Sequence, residues 1–288
     1  MADTDREADL RKEFIDTAVK AVIKVEEKWK ALCTVDKSSS WTESYFRETN
    51  SDTSDGGTGS AIKGVPQYAP FPFFDVTETK YSSVVQKYGG ESIISLEAQQ
   101  NATVPMLQRK IYRLGRKIVY QVDAAIEAGC AADFGNTVAI ASGYEWDSAT
   151  IANRDPVKDI LNAVQELRAD GVDALSGNGY LVVNGTDYTN IISNTKVLNH
   201  PTFQSISAIE NGQVNKLCGL TIVVSETVTA DTAYVLVARQ GMVWKEAEPM
   251  KVVTIVDEGK STTIRAWTRG VFQLQSPNEV CKLTNTRK

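Results

Sequence analysis

The chain has 288 residues, of which 42% are hydrophobic and 23% charged, with a formal net charge of −5. This is ordinary globular composition, with enough apolar chain for one large core or two modest ones. The acidic balance argues against a dedicated high-affinity nucleic-acid binder, whose footprint is a basic excess, but allows loose contact through a local patch. No apolar run reaches the roughly 18–20 residues a bilayer span needs. The N-terminus, MADTDREADLRKEF, is charged and lacks an apolar signal core. We therefore expect a soluble protein with no membrane partner, in which the sequons at Asn101 and Asn184 carry no glycan.

Residues Thr4 to Leu32 predict an amphipathic helix, because Leu10, Phe14, Ala18, Ala21, Val22, Val25 and Trp29 recur at spacings of three and four. From Asp36 to Gly64 the chain turns polar and reads as an extended arm, interrupted by Trp41, Tyr45 and Phe46. Such aromatics either anchor on a partner or pack onto the body. Pro66, Pro70 and Pro72 then exclude helix. Two β-like runs follow, Lys80–Gln86 and Glu91–Leu96, and the intervening Lys87-Tyr88-Gly89-Gly90 predicts a turn. A two-stranded hairpin is marginal alone and needs something to lie against.

The next segment is strongly patterned. Leu107, Ile111, Leu114, Ile118, Val122 and Ala125 form a continuous stripe predicting a helix from Thr103 to Ala128. Thr103 suits its N-cap, Pro105 its first turn and Gly129 its C-terminal cap. Arg109, Lys110, Arg113, Arg116 and Lys117 lie off the stripe. They read either as a solvated face or as a surface turned toward an anionic polymer, where many copies side by side would make a broad field.

Beyond Ala131 come loops with short strands, then a helix opened by Asp155-Pro156 and buried through Val157, Ile160, Leu161, Val164 and Leu167. Strands are predicted at Gly179–Val183, Leu220–Val224, Ala233–Ala238, Met250–Val256, Thr262–Trp267 and Gly270–Leu274, with a short helix at Asp187–Ser193. Helices and strands mix without regular β-α alternation, so the fold class is α+β.

Catalytic vocabulary is sparse. The single histidine, His200, cannot build a triad or a multi-His metal site. Gly56 to Ser60 is glycine-rich but lacks the GK[ST] ending of a phosphate loop. Asp155, Asp159 and Glu166 read as solvated helix carboxylates. Cys33, Cys130, Cys218 and Cys281 lie far apart with no C-x-x-C pair, as expected of free, buried thiols. We expect no enzyme, no metal and no cofactor.

The order of parts resembles a family. ESIISLEAQQNA before the long helix, the D-x-A-x-x-x-G ending carried by Asp123, Ala125 and Gly129, then GYLVVNGTDYTNI, GLTIVVSETVTADTAYVLVARQG and the closing IRAWTRGVFQLQSPNEVCKLTN are similar to the tailed-bacteriophage major capsid protein of the Hong Kong 97 type. The resemblance spans nearly the whole chain and rests on order and spacing more than on any one motif. It implies an N-terminal arm (1–55), an extended β-hairpin loop (56–100), a peripheral domain with a spine helix (101–154 and 240–288) and an axial domain (155–239).

It also implies a structural protein that self-assembles as pentamers and hexamers into an icosahedral virion shell in the host cytoplasm. That shell would hold double-stranded DNA by weak nonspecific contact, with portal, scaffolding and decoration proteins as further partners of the virion. Subunit-interface candidates are Trp41, Tyr45, Phe71, Phe73, Phe74, Tyr81 and Tyr88, since aromatics dominate interface energetics; the other reading is that they cover the protein's own core. Arg109, Lys110, Arg113, Arg116 and Lys117 are the lumen-facing candidates. A large cleaved N-terminal segment is not expected with about fifty residues before the hairpin. No crosslink is expected either, because no motif singles out a pair among Lys63, Lys80, Lys87 and Asn278. An encapsulin-type compartment is the alternative within the fold, and a soluble α+β enzyme the alternative outside it.

Overall fold

The computed structural model describes residues 27–48, 66–70, 78–101, 106–198 and 214–288. Most of the predicted N-terminal helix, the Gly56–Ser60 run, Phe71, Phe73, Phe74, Thr103, Pro105 and His200 lie outside the described residues.

In chain order, a 3₁₀ turn (Lys30–Leu32) leads into strands β1 (Thr34–Lys37), β2 (Thr42–Glu48), β3 (Glu78–Val84) and β4 (Gln86–Ser95). Helices α1 (Leu96–Asn101) and α2 (Met106–Asp133) follow, then β5 (Asn136–Ala139), α3 (Pro156–Ala169), β6 (Gly179–Val183), α4 (Gly185–Ile192) and α5 (Thr195–Leu198). The rest is β-structure: β7 (Lys216–Leu217), β8 (Leu220–Val224), β9 (Thr232–Val237), β10 (Met242–Asp257), β11 (Ser261–Leu274) and β12 (Val280–Thr284).

These elements gather into two compact units. The first takes residues up to Glu43, Ser82–Ala128 and Val243–Gln273; the second takes Ser44–Tyr81, Gly129–Met242 and Leu274–Lys288.

The first unit is a four-stranded sheet, β1-β10-β11-β4, with α2 laid on it. Strand β1 runs parallel to β10, and β4 antiparallel to β11 from Ser95 opposite Ser261 to Gln86 opposite Gly270. A three-residue turn joins β10 to β11, with Gly259 at a φ of 75° that only glycine adopts freely and Lys260 N–H donating to Asp257 O at 3.1 Å. Ile111 and Ile118 of the predicted stripe close against Ile94, Val252, Ile264 and Ala266, with Leu114, Tyr88 and Met250 at the margin. Each fully buried aliphatic contributes about 1.5–3 kcal/mol. That packing, more than helix propensity, holds so long a helix in place.

The second unit is built on a six-stranded mixed sheet, β5-β12-β9-β6-β8-β7. Every residue of β9 is buried, so both its faces are covered, which explains the unbroken apolar run AYVLV after Thr232. Helix α3 buries Ile160, Ala163, Val164 and Leu167 in the core with Leu181, Val235 and Leu283. Asp155 caps it as expected, its carboxylate accepting Lys158 N–H at 3.3 Å. Trp146 fills the same core and donates its indole N–H to Asp159 at 3.0 Å.

Several sequence expectations are corrected. Lys87–Gly90 is not a turn, because β4 runs straight through it. The glycines serve close approach: a Cβ on Gly89 would stand 2.8 Å from Cβ of Trp267, and one on Gly90 3.0 Å from Cδ1 of Leu114. Strand β3 pairs with β2, not with β4. Val85 N–H donates to Trp41 O, Ser83 Oγ to Glu43 O, and the Tyr45 and Tyr81 rings stack, so the ladder is antiparallel and flanks residues 49–77. The polar segment read as an extended arm carries the end of β1 and all of β2. Residues 27–29 are not helical, and Lys30–Leu32 is a 3₁₀ turn. Helix α2 continues past Gly129 to Asp133 because Cys130 is buried there, its thiol 3.6 Å from the sulfur of Met242. The predicted strands Thr262–Trp267 and Gly270–Leu274 are one strand, β11, and β12 had no clear signal in the sequence.

Candidate assembly surfaces

The outward face of α2 is built by helical spacing alone. With Ile111, Ile118 and Val122 turned inward, Arg109, Arg113, Arg116 and Lys117 are exposed, interleaved with exposed Tyr112 and Tyr120. The guanidinium of Arg116 lies 5.5 Å from the centre of the Tyr112 ring. Lys110 differs from the other four: it is half-buried and donates its ammonium to Ile93 O at the β4 edge. Four of the five predicted basic side chains therefore share one exposed face.

The aromatic candidates separate. Trp41 is 72% exposed, with the guanidinium of Arg269 4.6 Å from its ring centre. Tyr45 and Tyr81 stack on each other at 5.9 Å. Tyr88 lies against its own sheet, 6.1 Å from Trp244 and beside the Ile94 cluster.

Near Trp41 and Arg269, the first unit carries a groove of about 440 Å³ lined by Lys87, Gly89, Glu91, Arg265 and Trp267. Lys87 sits 5.1 Å over the Trp267 ring, and Arg265 pairs with Glu91 at 2.5 Å.

Two polar constellations escaped sequence reasoning. Asp123 is buried on α2, and its two carboxylate oxygens accept the backbone N–H groups of Lys28 at 2.9 Å and Lys30 at 3.1 Å. Burial pushes this carboxyl up from its ordinary value, against the opposing pull of those N–H bonds. Lys30 in turn bridges Glu246 at 2.9 Å and Glu27 at 3.2 Å. The one available signal was a carboxylate five residues before the predicted helix end at Ala128.

The second constellation surrounds Arg47, which is buried at 7% exposure. It donates to the Asp133 carboxylate at 2.7 Å, to Tyr45 Oη at 3.0 Å and to Leu274 O at 3.2 Å, and its guanidinium lies 4.1 Å over the Tyr81 ring. An arginine in a polar arm gave no hint of burial.

All four cysteines are free, and Cys33, Cys130 and Cys281 are buried. Among the described residues, no group of three or more His, Cys, Asp or Glu side chains is placed to hold a metal, and no helix is long and apolar enough to cross a membrane. What the surface offers instead is charge and aromatic area displayed on extended elements.

The sequence matches a family model described as phage capsid protein, over residues 78–283. The chain belongs to the phage capsid protein family. Its fold agrees with solved phage and virus-like-particle structures at low identity. The capsid of cyanophage P-SCSP1u aligns with a TM-score of 0.64 at 16% identity, over 88% of this chain and 86% of that one. A Mycobacterium phage Che8 structure aligns at 0.65 and 15%, over 90% and 92%. A virus-like particle from Pyrococcus furiosus aligns at 0.61 and 12%, over 94% and 98%. A search of curated sequences returned no match. This phage capsid protein thus has the Hong Kong 97-type α+β fold that its motif order implied, and it is a shell-forming structural subunit of a virion.

Proposed function

We propose that this capsid protein forms pentamers and hexamers that close into an icosahedral shell around double-stranded DNA, assembled in the host cytoplasm and without catalytic activity of its own. The family match over residues 78–283 carries the reading. It is supported by a β2–β3 ribbon with one buried side chain among its described residues, as expected of a chain that completes its contacts by assembling.

In this reading α2 is the spine of a peripheral domain, and residues 155–239 form the axial domain at the capsomer centre. The segment flanked by β2 and β3 reaches a neighbouring subunit, with Trp41, Tyr45, Tyr81, Phe71, Phe73 and Phe74 supplying contact area. Arg109, Arg113, Arg116 and Lys117 face the lumen and meet phosphate weakly, copy after copy. Portal, scaffolding and decoration proteins are the remaining partners of such a virion.

Light scattering on the size-exclusion eluate, with electron microscopy of the same fraction, tests the reading. Closed particles of megadalton mass with strong nucleic-acid absorbance are expected from infected or packaging-competent cells. Closed particles filled with protein would make the chain a compartment shell instead. A monomer or dimer that stays unassembled with every packaging component present would overturn the shell reading.

A further inference from the structure

We propose that Arg47 is a positioning residue: its guanidinium aims the β2–β3 ribbon, and shell geometry depends on that aim. The second half of this statement rests on the shell function proposed above; the first does not.

Two strands alone are marginal in water and need outside contacts to take one direction. This ribbon has few. No described residue of β3 is buried, and in β2 only Arg47 is. The one buried side chain of the two strands is therefore a cation, and no buried apolar side chain of theirs sets the ribbon's direction.

Arg47 joins three elements through one planar group. Its Nη2 meets the carboxylate of Asp133, the last residue of α2, at 2.7 Å. Its Nε meets the carbonyl of Leu274, the last residue of β11, at 3.2 Å. Its flat face covers Tyr81 of β3 at 4.1 Å, and Tyr45 adds its hydroxyl at 3.0 Å. A guanidinium fork restricts angle as well as distance, which a lysine ammonium does not. The next residue is held differently: Glu48 N–H donates to Gln275 O at 3.0 Å and its carboxylate accepts from Ser276 Oγ at 2.9 Å. Those bonds fix where β2 ends. Rotation of the ribbon about that point is opposed by the stacked, three-way contact of Arg47.

The direction is measurable in the unassembled subunit. Spin labels at Glu78→Cys and Thr137→Cys, both exposed positions of the second unit, are introduced with Cys218→Ser; the other native thiols are buried. Pulsed electron-electron resonance should read one narrow distance with Arg47 intact. Arg47→Ala should lose it to a broad spread, and Arg47→Lys should recover it only partly. Asp133→Asn leaves the arginine its other partners and serves if Arg47→Ala does not fold; it should also broaden the distance. A distribution superimposable on that of the parent in any folded one of these variants overturns the pin.

Electron microscopy of Arg47→Lys particles tests the consequence: mixed diameters and open sheets are expected. Uniform parent-sized shells from a variant with broadened distances would overturn the link to shell geometry alone. A parent chain that makes no shells would remove the proposed function, while the distance measurement would still decide the pin.

Discussion

Asp123 shows how much one side chain can organise. Its carboxylate is buried and accepts backbone N–H groups of residues 28–30, so it fastens that segment to the long helix. Burial raises its pKa above the ordinary 3.8, and that of neighbouring Glu27 above 4.5 for the same reason. A native carboxyl with a raised pKa binds its proton more readily than the unfolded one. Stability from this site is therefore fully present below the ordinary carboxylate range and declines as pH rises through the raised values.

Urea unfolding across that range should show this fall, and Asp123→Asn should flatten it while costing about 1–3 kcal/mol at neutral pH, because the amide presents only one acceptor oxygen to these backbone donors. A parallel slope in the variant would refute the assignment. The thiols give a second check. Burial raises Cys33, Cys218 and Cys281, the last to about 12, and Cys218 alone is half-exposed. A thiol-reactive dye should modify Cys218 slowly in the native protein and all four cysteines in denaturant. The basic residues of α2 were legible in the sequence because helical spacing places them; Arg47 and Asp123 were not, because burial of a charge depends on partners 86 to 227 residues away for Arg47 and about 95 for Asp123.

The secondary elements show where local pattern suffices and where it fails. Strands β6 and β8 begin and end where their short apolar runs place them, and α3 starts at its Asp-Pro signal. Glycine misled twice. At Gly129 the propensity cost of about 1 kcal/mol is outweighed by burying Cys130 and the turn around it. At Gly89 the absent side chain makes room for Trp267 across the ladder. Gly89→Val should accordingly destabilise the first unit by about 1–3 kcal/mol through overpacking, read as a lower urea midpoint with an unchanged slope. Ile118→Ala, at the centre of the α2 contact, should cost about 2–5 kcal/mol in the same assay. A loss under half a kcal/mol would mean that α2 is held by something other than its stripe.

For the shell, charge and reach matter more than any cavity. A chain of net charge −5 that presents four exposed basic side chains on one helix face separates its charge in space. Replacing Arg109, Arg113, Arg116 and Lys117 with alanine should leave shells closed and lower the DNA they retain, measured as nucleic-acid absorbance per particle and its salt dependence. Undiminished DNA would remove these residues from the lumen. Replacing residues 49–77 with a short turn should leave both units folded by circular dichroism and abolish closed particles. Normal shells from that deletion would contradict the role given to the β2–β3 ribbon.

The amino-acid order was enough to establish the α+β class, the long amphipathic helix with its basic face, the poverty of catalytic groups and the succession of parts that resembles a capsid subunit. Those features depend on periodicity and on residue types close together in the chain. Strand partners, the fate of Gly89 and Gly129, and the burial of Asp123 and Arg47 depend on contacts between distant segments. Local sequence does not encode the pairing of β2 with β3 across residues 49–77, or of β4 with β11 some 170 residues later. Only the packed fold brings those backbones within hydrogen-bonding distance, and it places Arg47 where three elements meet.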